Sequence, residues 1–146
     1  MEIPNNIIQI PPRLLKFSVK GDERGKLIAI ENSIDIPFDI KRIYYIYGNS
    51  LNLSRGFHAH KNLQQVLIAI SGSVKIKTEY QDKKDLFILN TPNQGLLISG
   101  LVWREMFDFT DDCVLEVLAS DFFKESDYIR NYEQFKEIDR EFINVY

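Results

Sequence analysis

Apolar and polar positions alternate along most of this chain in short runs separated by turn residues. The runs Leu14 to Val19, Lys26 to Glu31, Ile40 to Tyr47, Gln65 to Ile70, Val74 to Tyr80, Leu86 to Leu89, Gly95 to Ile98, Glu105 to Phe109 and Val114 to Ala119 are rich in β-branched and aromatic residues. Lys20-Gly21-Asp22, Tyr47-Gly48-Asn49, Ser71-Gly72-Ser73, Thr91-Pro92-Asn93 and Thr110-Asp111-Asp112 punctuate them. About nine strands spaced by such turns predict an all-β fold, an antiparallel sandwich or barrel. The pattern changes once. From Glu125 to Phe142, Tyr128, Ile129, Tyr132, Phe135, Ile138 and Phe142 recur at steps of mostly three and four residues with charges between them, which predicts a C-terminal helix over about 125–143 packed on the barrel. No internal repeat, low-complexity tract or Pro/Gly/Ser-rich linker interrupts the chain, so residues 1–146 read as a single domain.

Composition narrows the setting. With 146 residues, 45% of them apolar, the chain has enough material for one well-formed core. A formal charge of -3, with 18 Lys and Arg dispersed among 21 Asp and Glu, provides no basic field for a nucleic-acid backbone. The lone cysteine, Cys113, forms no intrachain disulfide and reads as a buried strand residue. The longest apolar runs are far below a membrane span, and no charged segment followed by an apolar one opens the chain. The expectation is a soluble, cytoplasmic protein with neither nucleic acid nor membrane as partner.

The chemistry concentrates in Arg55-Gly56-Phe57-His58-Ala59-His60, which holds the chain's two histidines. Residues i and i+2 of a strand share a face, so the imidazoles stand side by side, their Cα atoms about 6–7 Å apart. Such a pair suits proton transfer or a metal. The segment resembles the first motif of the cupin superfamily, whose metal-binding form continues from His-x-His to a glutamate and then a glycine. Here Gln65 occupies the glutamate position and Gly72 the glycine position. In Ser99-Gly100-Leu101-Val102-Trp103-Arg104, the counterpart of the second motif, Arg104 stands where a further histidine ligand is expected. A guanidinium has no lone pair to donate and stays protonated, so it repels a divalent ion. The expectation is a cupin barrel without a metal, keeping a polar cavity with two imidazoles and an arginine.

A narrower resemblance rests on several segments in order. Asp22-Glu23-Arg24-Gly25, Ile36 to Tyr45, Arg55 to His60, Val102-Trp103-Arg104-Glu105-Met106, Val117 to Phe123 and Asp127-Tyr128-Ile129-Arg130 together resemble the sugar-nucleotide 3,4-oxoisomerases (3,4-ketoisomerases) of the WxcM-like cupin family, over about residues 14–136. The resemblance implies a small homodimeric cupin, similar in fold to the deoxysugar 3,5-epimerases, that works without a cofactor. It implies a dTDP-4-oxo-6-deoxy-D-glucose substrate and a 3-oxo product, which an aminotransferase converts to a 3-amino-3,6-dideoxy sugar for cell-surface glycans.

Moving a carbonyl from C4 to C3 requires a base for the C3 proton, an acid to protonate C4 and a group to hold the enediolate oxygens. His58 and His60 fit the first two roles, with the base left open between them; the related epimerases would favour His58. Arg104 or Tyr45 fits the third. A base with a pKa near neutral is expected. Arg24 and Arg55, each beside a glycine, are candidates for the diphosphate. Tyr44, Tyr45 and Trp103 are candidates for stacking on thymine, with core packing as the alternative. Asp127, Tyr128 and Arg130 fit either a family motif or a capped helix start. Branches of the family pair arginine with histidine, or tyrosine with arginine, at the positions of Arg24 and Arg104; this chain has arginine at both, which leaves the C4 configuration open. The alternatives are a 3,5-epimerase on the same substrate, a non-catalytic sugar-nucleotide-binding cupin and, more distantly, a metal-dependent dioxygenase.

Overall fold

The structure, a computed structural model, describes residues 7–49 and 53–145; residues 1–6, 50–52 and 146 of the expected single domain lie outside the described residues. In chain order the strands are β1 (Gln9–Lys16), β2 (Lys20–Asp22), β3 (Gly25–Leu27), β4 (Arg42–Ile46), β5 (Arg55–His60), β6 (Gln64–Ser71), β7 (Val74–Tyr80), β8 (Lys83–Leu89), β9 (Gln94–Gly100), β10 (Trp103–Phe107), β11 (Val114–Ala119) and β12 (Tyr128–Ile129), followed by helix α1 (Tyr132–Val145). They form two antiparallel five-stranded sheets, ordered β1-β9-β6-β11-β4 and β12-β5-β10-β7-β8, with β2 and β3 a separate hairpin. This is the antiparallel cupin sandwich expected from the sequence, with its C-terminal helix.

Strand periodicity divides the apolar residues among three places. Leu67, Ala69, Ile76, Leu96, Ile98, Met106, Leu115 and Val117 come from both sheets and fill the space between them. Val66, Ile68, Leu97 and Leu118, on the opposite face of the first sheet, are covered by Phe17, Ile36 and Phe38. Ala59, Trp103 and Ile129, on the outer face of the second sheet, meet Phe135 and Ile138 of α1.

Local chemistry explains where the elements depart from the pattern. β1 begins earlier than its apolar run because an edge strand tolerates Pro11 and Pro12, and its register with β9 shifts between Ile10 and Arg13. The expected strand Lys26 to Glu31 ends at Leu27; Ile28 and Ile30 instead pack, without strand pairing, against the cluster covering the first sheet. The helix starts at Tyr132, not near 125. Glu125–Asp127 is a single 3₁₀ turn, and Tyr128 and Ile129 pair with His60 and Ala59 as β12. Asn131 then caps α1, its Oδ1 accepting the Gln134 N–H at 2.9 Å.

Candidate active site

Between the sheets, at the end away from most of the apolar filling, the inward positions turn polar. Arg42 and Tyr44 of β4, His58 and His60 of β5, Gln65 of β6, Thr78 of β7 and Arg104 of β10 continue the inward faces begun by Ile46, Leu67, Ile76 and Met106. Arg104 sits opposite His58 on one side and Thr78 on the other. The β5–β10 register shifts here, because Phe57 is an extra residue and lies at φ 54° next to Gly56 at φ 95°. Gly56 is required twice over: its φ suits glycine, and a Cβ there would stand 2.9 Å from the Arg104 carbonyl oxygen.

The imidazoles of His58 and His60 lie 4.9 Å apart between centroids, nearly perpendicular. Tyr128 covers both, with centroids 5.0 Å from His58 and 4.3 Å from His60. His58 Nδ1 is 3.0 Å from the Gly56 carbonyl oxygen, which can only accept, so the proton is on Nδ1 and Nε2 carries the lone pair. His60 Nδ1 is 3.1 Å from Asp127 Oδ2, and its buried Nε2 has no hydrogen-bond partner among the described residues. Asp127 also accepts the backbone N–H groups of Asn62 and Leu63 at 2.9 and 3.2 Å. Arg104 is 1% exposed; it donates to Gln65 Oε1 at 2.5 Å and to the Val102 carbonyl at 3.2 Å, while its Nε has no partner among the described residues. Gln65 in turn donates to the Tyr44 hydroxyl at 3.0 Å.

Burial dominates the electrostatics. It pushes the Arg104 guanidinium down to about 10, still charged at neutral pH. Burial, the Arg104 charge and the neighbouring His60 lower His58 to about 3. Burial also lowers His60, partly countered by the Asp127 hydrogen bond, to about 4. Burial thus favours the neutral form of both imidazoles at neutral pH. Burial raises Asp127, but the His60 contacts and the two backbone N–H groups outweigh it and hold its carboxyl below the usual range.

His60, Asp127 and Tyr128 line a cleft of about 700 Å³ together with Lys41, Arg42 and Lys61, with Asp39, and with Lys124 and Asp121 paired at 2.7 Å. Arg42 lies over the rings of Tyr44 and Phe123 at 5.3 and 5.9 Å, with its buried Nε unpartnered among the described residues.

Of the residues singled out in the sequence, the structure brings together His58, His60 and Arg104. Tyr45 and Trp103 do not line the cavity. Tyr45 is 64% exposed on the outer face of β4, and the inward position belongs to Tyr44. Trp103 faces outward beneath α1, donating to Glu105 Oε2 at 3.0 Å, beside a separate concavity of about 470 Å³ that includes Phe57 and Tyr132. Arg24 is exposed at the β2–β3 turn, paired with Asp22, and Arg55 is exposed at the start of β5. The polar residues around the histidines that the sequence reading left in other roles are Arg42, Tyr44, Gln65, Asp127 and Tyr128. Strand parity is the signal for Tyr44, but on β4 both faces carry aromatic or apolar residues, so the pattern alone does not choose.

Both the sequence and the fold resemble those of known proteins. The chain is 45% identical over 124 residues, 85% of this chain and 89% of the relative, to a TDP-4-oxo-6-deoxy-alpha-D-glucose-3,4-oxoisomerase of Aneurinibacillus thermoaerophilus. QdtA, a sugar 3,4-ketoisomerase from Thermoanaerobacterium thermosaccharolyticum solved with TDP, superposes with a TM-score of 0.87 at 48% identity, over 95% of this chain and 98% of that one. A histidine-to-asparagine variant of QdtA, solved with TDP-4-keto-6-deoxyglucose, matches at 47% identity with a TM-score of 0.87, over 95% and 97% of the two chains. With the family described as "FdtA: WxcM-like, C-terminal" matching residues 11–140, this chain belongs to the WxcM-like FdtA family.

Proposed function

We propose that this protein is a 3,4-oxoisomerase that converts dTDP-4-oxo-6-deoxy-α-D-glucose to the 3-oxo isomer. The observation that carries the reading is the cluster of two adjacent imidazoles and a buried arginine at the polar end of the cavity. One imidazole takes the C3 proton, which the C4 carbonyl acidifies; the electron pair forms the C3–C4 double bond of an enediolate. A proton is then delivered to C4, the O3 hydroxyl loses its proton as the C3 carbonyl forms, and O4 becomes the hydroxyl. The two carbons exchange oxidation states within one molecule, so the step balances without an external oxidant or reductant. Arg104, held by Gln65 and Val102 with its Nε free among the described residues, is positioned to stabilise the developing oxyanion without reorganising.

The depressed histidine pKa values fit this scheme once substrate charge is included. A dianionic substrate in the cleft, and then the enediolate at the imidazoles, add negative charge that offsets the repulsion by Arg104 and brings both histidines toward the range useful for proton transfer. Lys41, Arg42 and Lys61 are suited to the diphosphate. Arg24, on a hairpin outside both sheets, and Arg55 are kept for the same role in the homodimer we assign to the chain, for which the exposed Ile43 and Tyr45 on edge strand β4 and Tyr47 just after it are a candidate contact. The product serves a cytoplasmic route to 3-amino-3,6-dideoxy sugars of surface glycans. Among the described residues no helix is long and apolar enough to cross a membrane.

The test is proton NMR of the purified protein with dTDP-4-oxo-6-deoxyglucose in D₂O. Loss of the C3 proton with growth of a 3-oxo product deuterated at C4 is expected, and the coupling constants after reductive trapping assign the C4 configuration. Exchange at C5 without carbonyl migration would point to an epimerase, and an unchanged spectrum over hours to a binding protein.

A further inference from the structure

Arg104 comes from β10 in one sheet, Gln65 and Tyr44 from β6 and β4 in the other, so the hydrogen bonds among them bridge the sheets at the polar end of the cavity. The direction of this chain is fixed at one end. A guanidinium has only donors, so the Gln65 atom 2.5 Å from Arg104 Nη1 is its carbonyl oxygen. The amide nitrogen therefore faces Tyr44 and donates to its hydroxyl oxygen at 3.0 Å. Tyr44 is thus an acceptor here, and its own hydroxyl hydrogen has no acceptor among the described residues. Burial raises the Tyr44 hydroxyl above its ordinary pKa, so that hydrogen stays in place at neutral pH. Arg104, Arg42 and Tyr128 stand close enough to bear on its ionisation, and Tyr128 is the ring that covers both imidazoles. Gln65 itself is 2% exposed on the central strand β6, paired with Ile98 on one side and Ala119 on the other, which leaves its amide little freedom to turn.

We infer that Gln65 is a positioning residue whose neutral amide leaves Arg104 its full charge and aims the Tyr44 hydroxyl hydrogen at an oxygen of the hexose. The inference rests on the isomerase reading of the site. The acceptor is the oxygen on C3 or C4, which gains negative charge as the enediolate forms. A carboxylate of nearly the same shape at this position reverses the chain. It only accepts, so the Tyr44 hydroxyl turns to donate to it, and its charge offsets that of Arg104.

The test is a double-mutant cycle of Gln65→Glu and Tyr44→Phe with dTDP-4-oxo-6-deoxyglucose, run with a chelator because Gln65→Glu restores a ligand position of the metal-binding cupins. Tyr44→Phe is expected to lower kcat at least about tenfold on its own, and less than about threefold when added to Gln65→Glu, where the hydroxyl is already turned away. Gln65→Glu alone is expected to lower kcat about 10²-fold with KM changed less than about threefold, because Lys41, Arg42 and Lys61 are untouched. NMR titration of that variant is expected to find both histidines protonating at higher pH than in the wild type, with Asp127, Arg42 and Arg130, the other charges acting on them, the same in both proteins. Independently of any variant, a crystal structure of the wild-type protein with the unreactive reduced analogue dTDP-6-deoxy-D-glucose is expected to place Tyr44 Oη within about 3.2 Å of O3 or O4. Losses that multiply across the cycle, unchanged turnover or unshifted histidines in Gln65→Glu, or an Oη turned away from the sugar would overturn the inference while leaving the isomerase reading intact. A wild-type chain that does not isomerise the substrate would overturn that reading, and the inference with it.

Discussion

Acid should unfold this protein through its two histidines. Folding lowers His58 from 6.5 to about 3 and His60 from 6.5 to about 4, so below about pH 6.5 the unfolded chain binds two protons that the native state refuses. The stability these groups contribute is complete above the unfolded pKa and is lost as pH falls toward the folded values. Each such histidine costs about 1.4 kcal/mol per pH unit within that window. Between about pH 6.5 and about pH 4.5 the pair removes about 4–5 kcal/mol, a large part of the roughly 5–15 kcal/mol typical of a domain. Urea unfolding at a series of pH values, for the wild type and for His58→Asn/His60→Asn, isolates this contribution. Asp139, raised by burial, titrates in both proteins and cancels in the difference, while Asp127, which loses its His60 partner in the variant, is held below the usual carboxylate range in the wild type and contributes mainly below this window. The double variant should lose most of the slope. Equal slopes in the two proteins, or a wild-type loss below about 1 kcal/mol over the window, would refute the claim that these imidazoles are buried neutral.

The other expectations are more local. Arg104→Met removes the buried cation and should lower kcat by about 10²–10³-fold, the cost typical of a lost oxyanion donor, while NMR titration finds both histidine pKa values shifted upward. Gly56→Ala forces a Cβ to within 2.9 Å of the Arg104 carbonyl oxygen at φ 95°, and should reduce activity more than it reduces secondary structure by circular dichroism; unchanged kinetics would count against the bulge as a determinant of the site. Phe135→Ala empties the centre of the contact between α1 and the second sheet and should cost about 3–5 kcal/mol in denaturant unfolding.

Much of this molecule follows from the order of its residues. Two-residue alternation and well-placed turns determine an antiparallel sandwich, because side chains of a strand must point alternately to its two faces. The same rule puts His58 and His60 together, and the chemistry of a guanidinium distinguishes Arg104 from a metal ligand, whatever the surrounding fold. Which face is inside is another matter when both faces carry aromatic or apolar side chains. On β10, Trp103 lies under α1 and Arg104 points between the sheets, the reverse of what hydrophobicity alone would assign, and on β4 Tyr44 rather than Tyr45 enters the cavity. The sequence holds no local sign of these choices, because they depend on what covers each sheet. Asp127 is 67 residues from His60, and its apolar neighbours Tyr128 and Ile129 continue a helical spacing. Only the pairing of Tyr128 and Ile129 with His60 and Ala59 converts that segment to a strand and carries the carboxylate to the imidazole, since backbone hydrogen bonds to a neighbouring strand outweigh a weak local propensity.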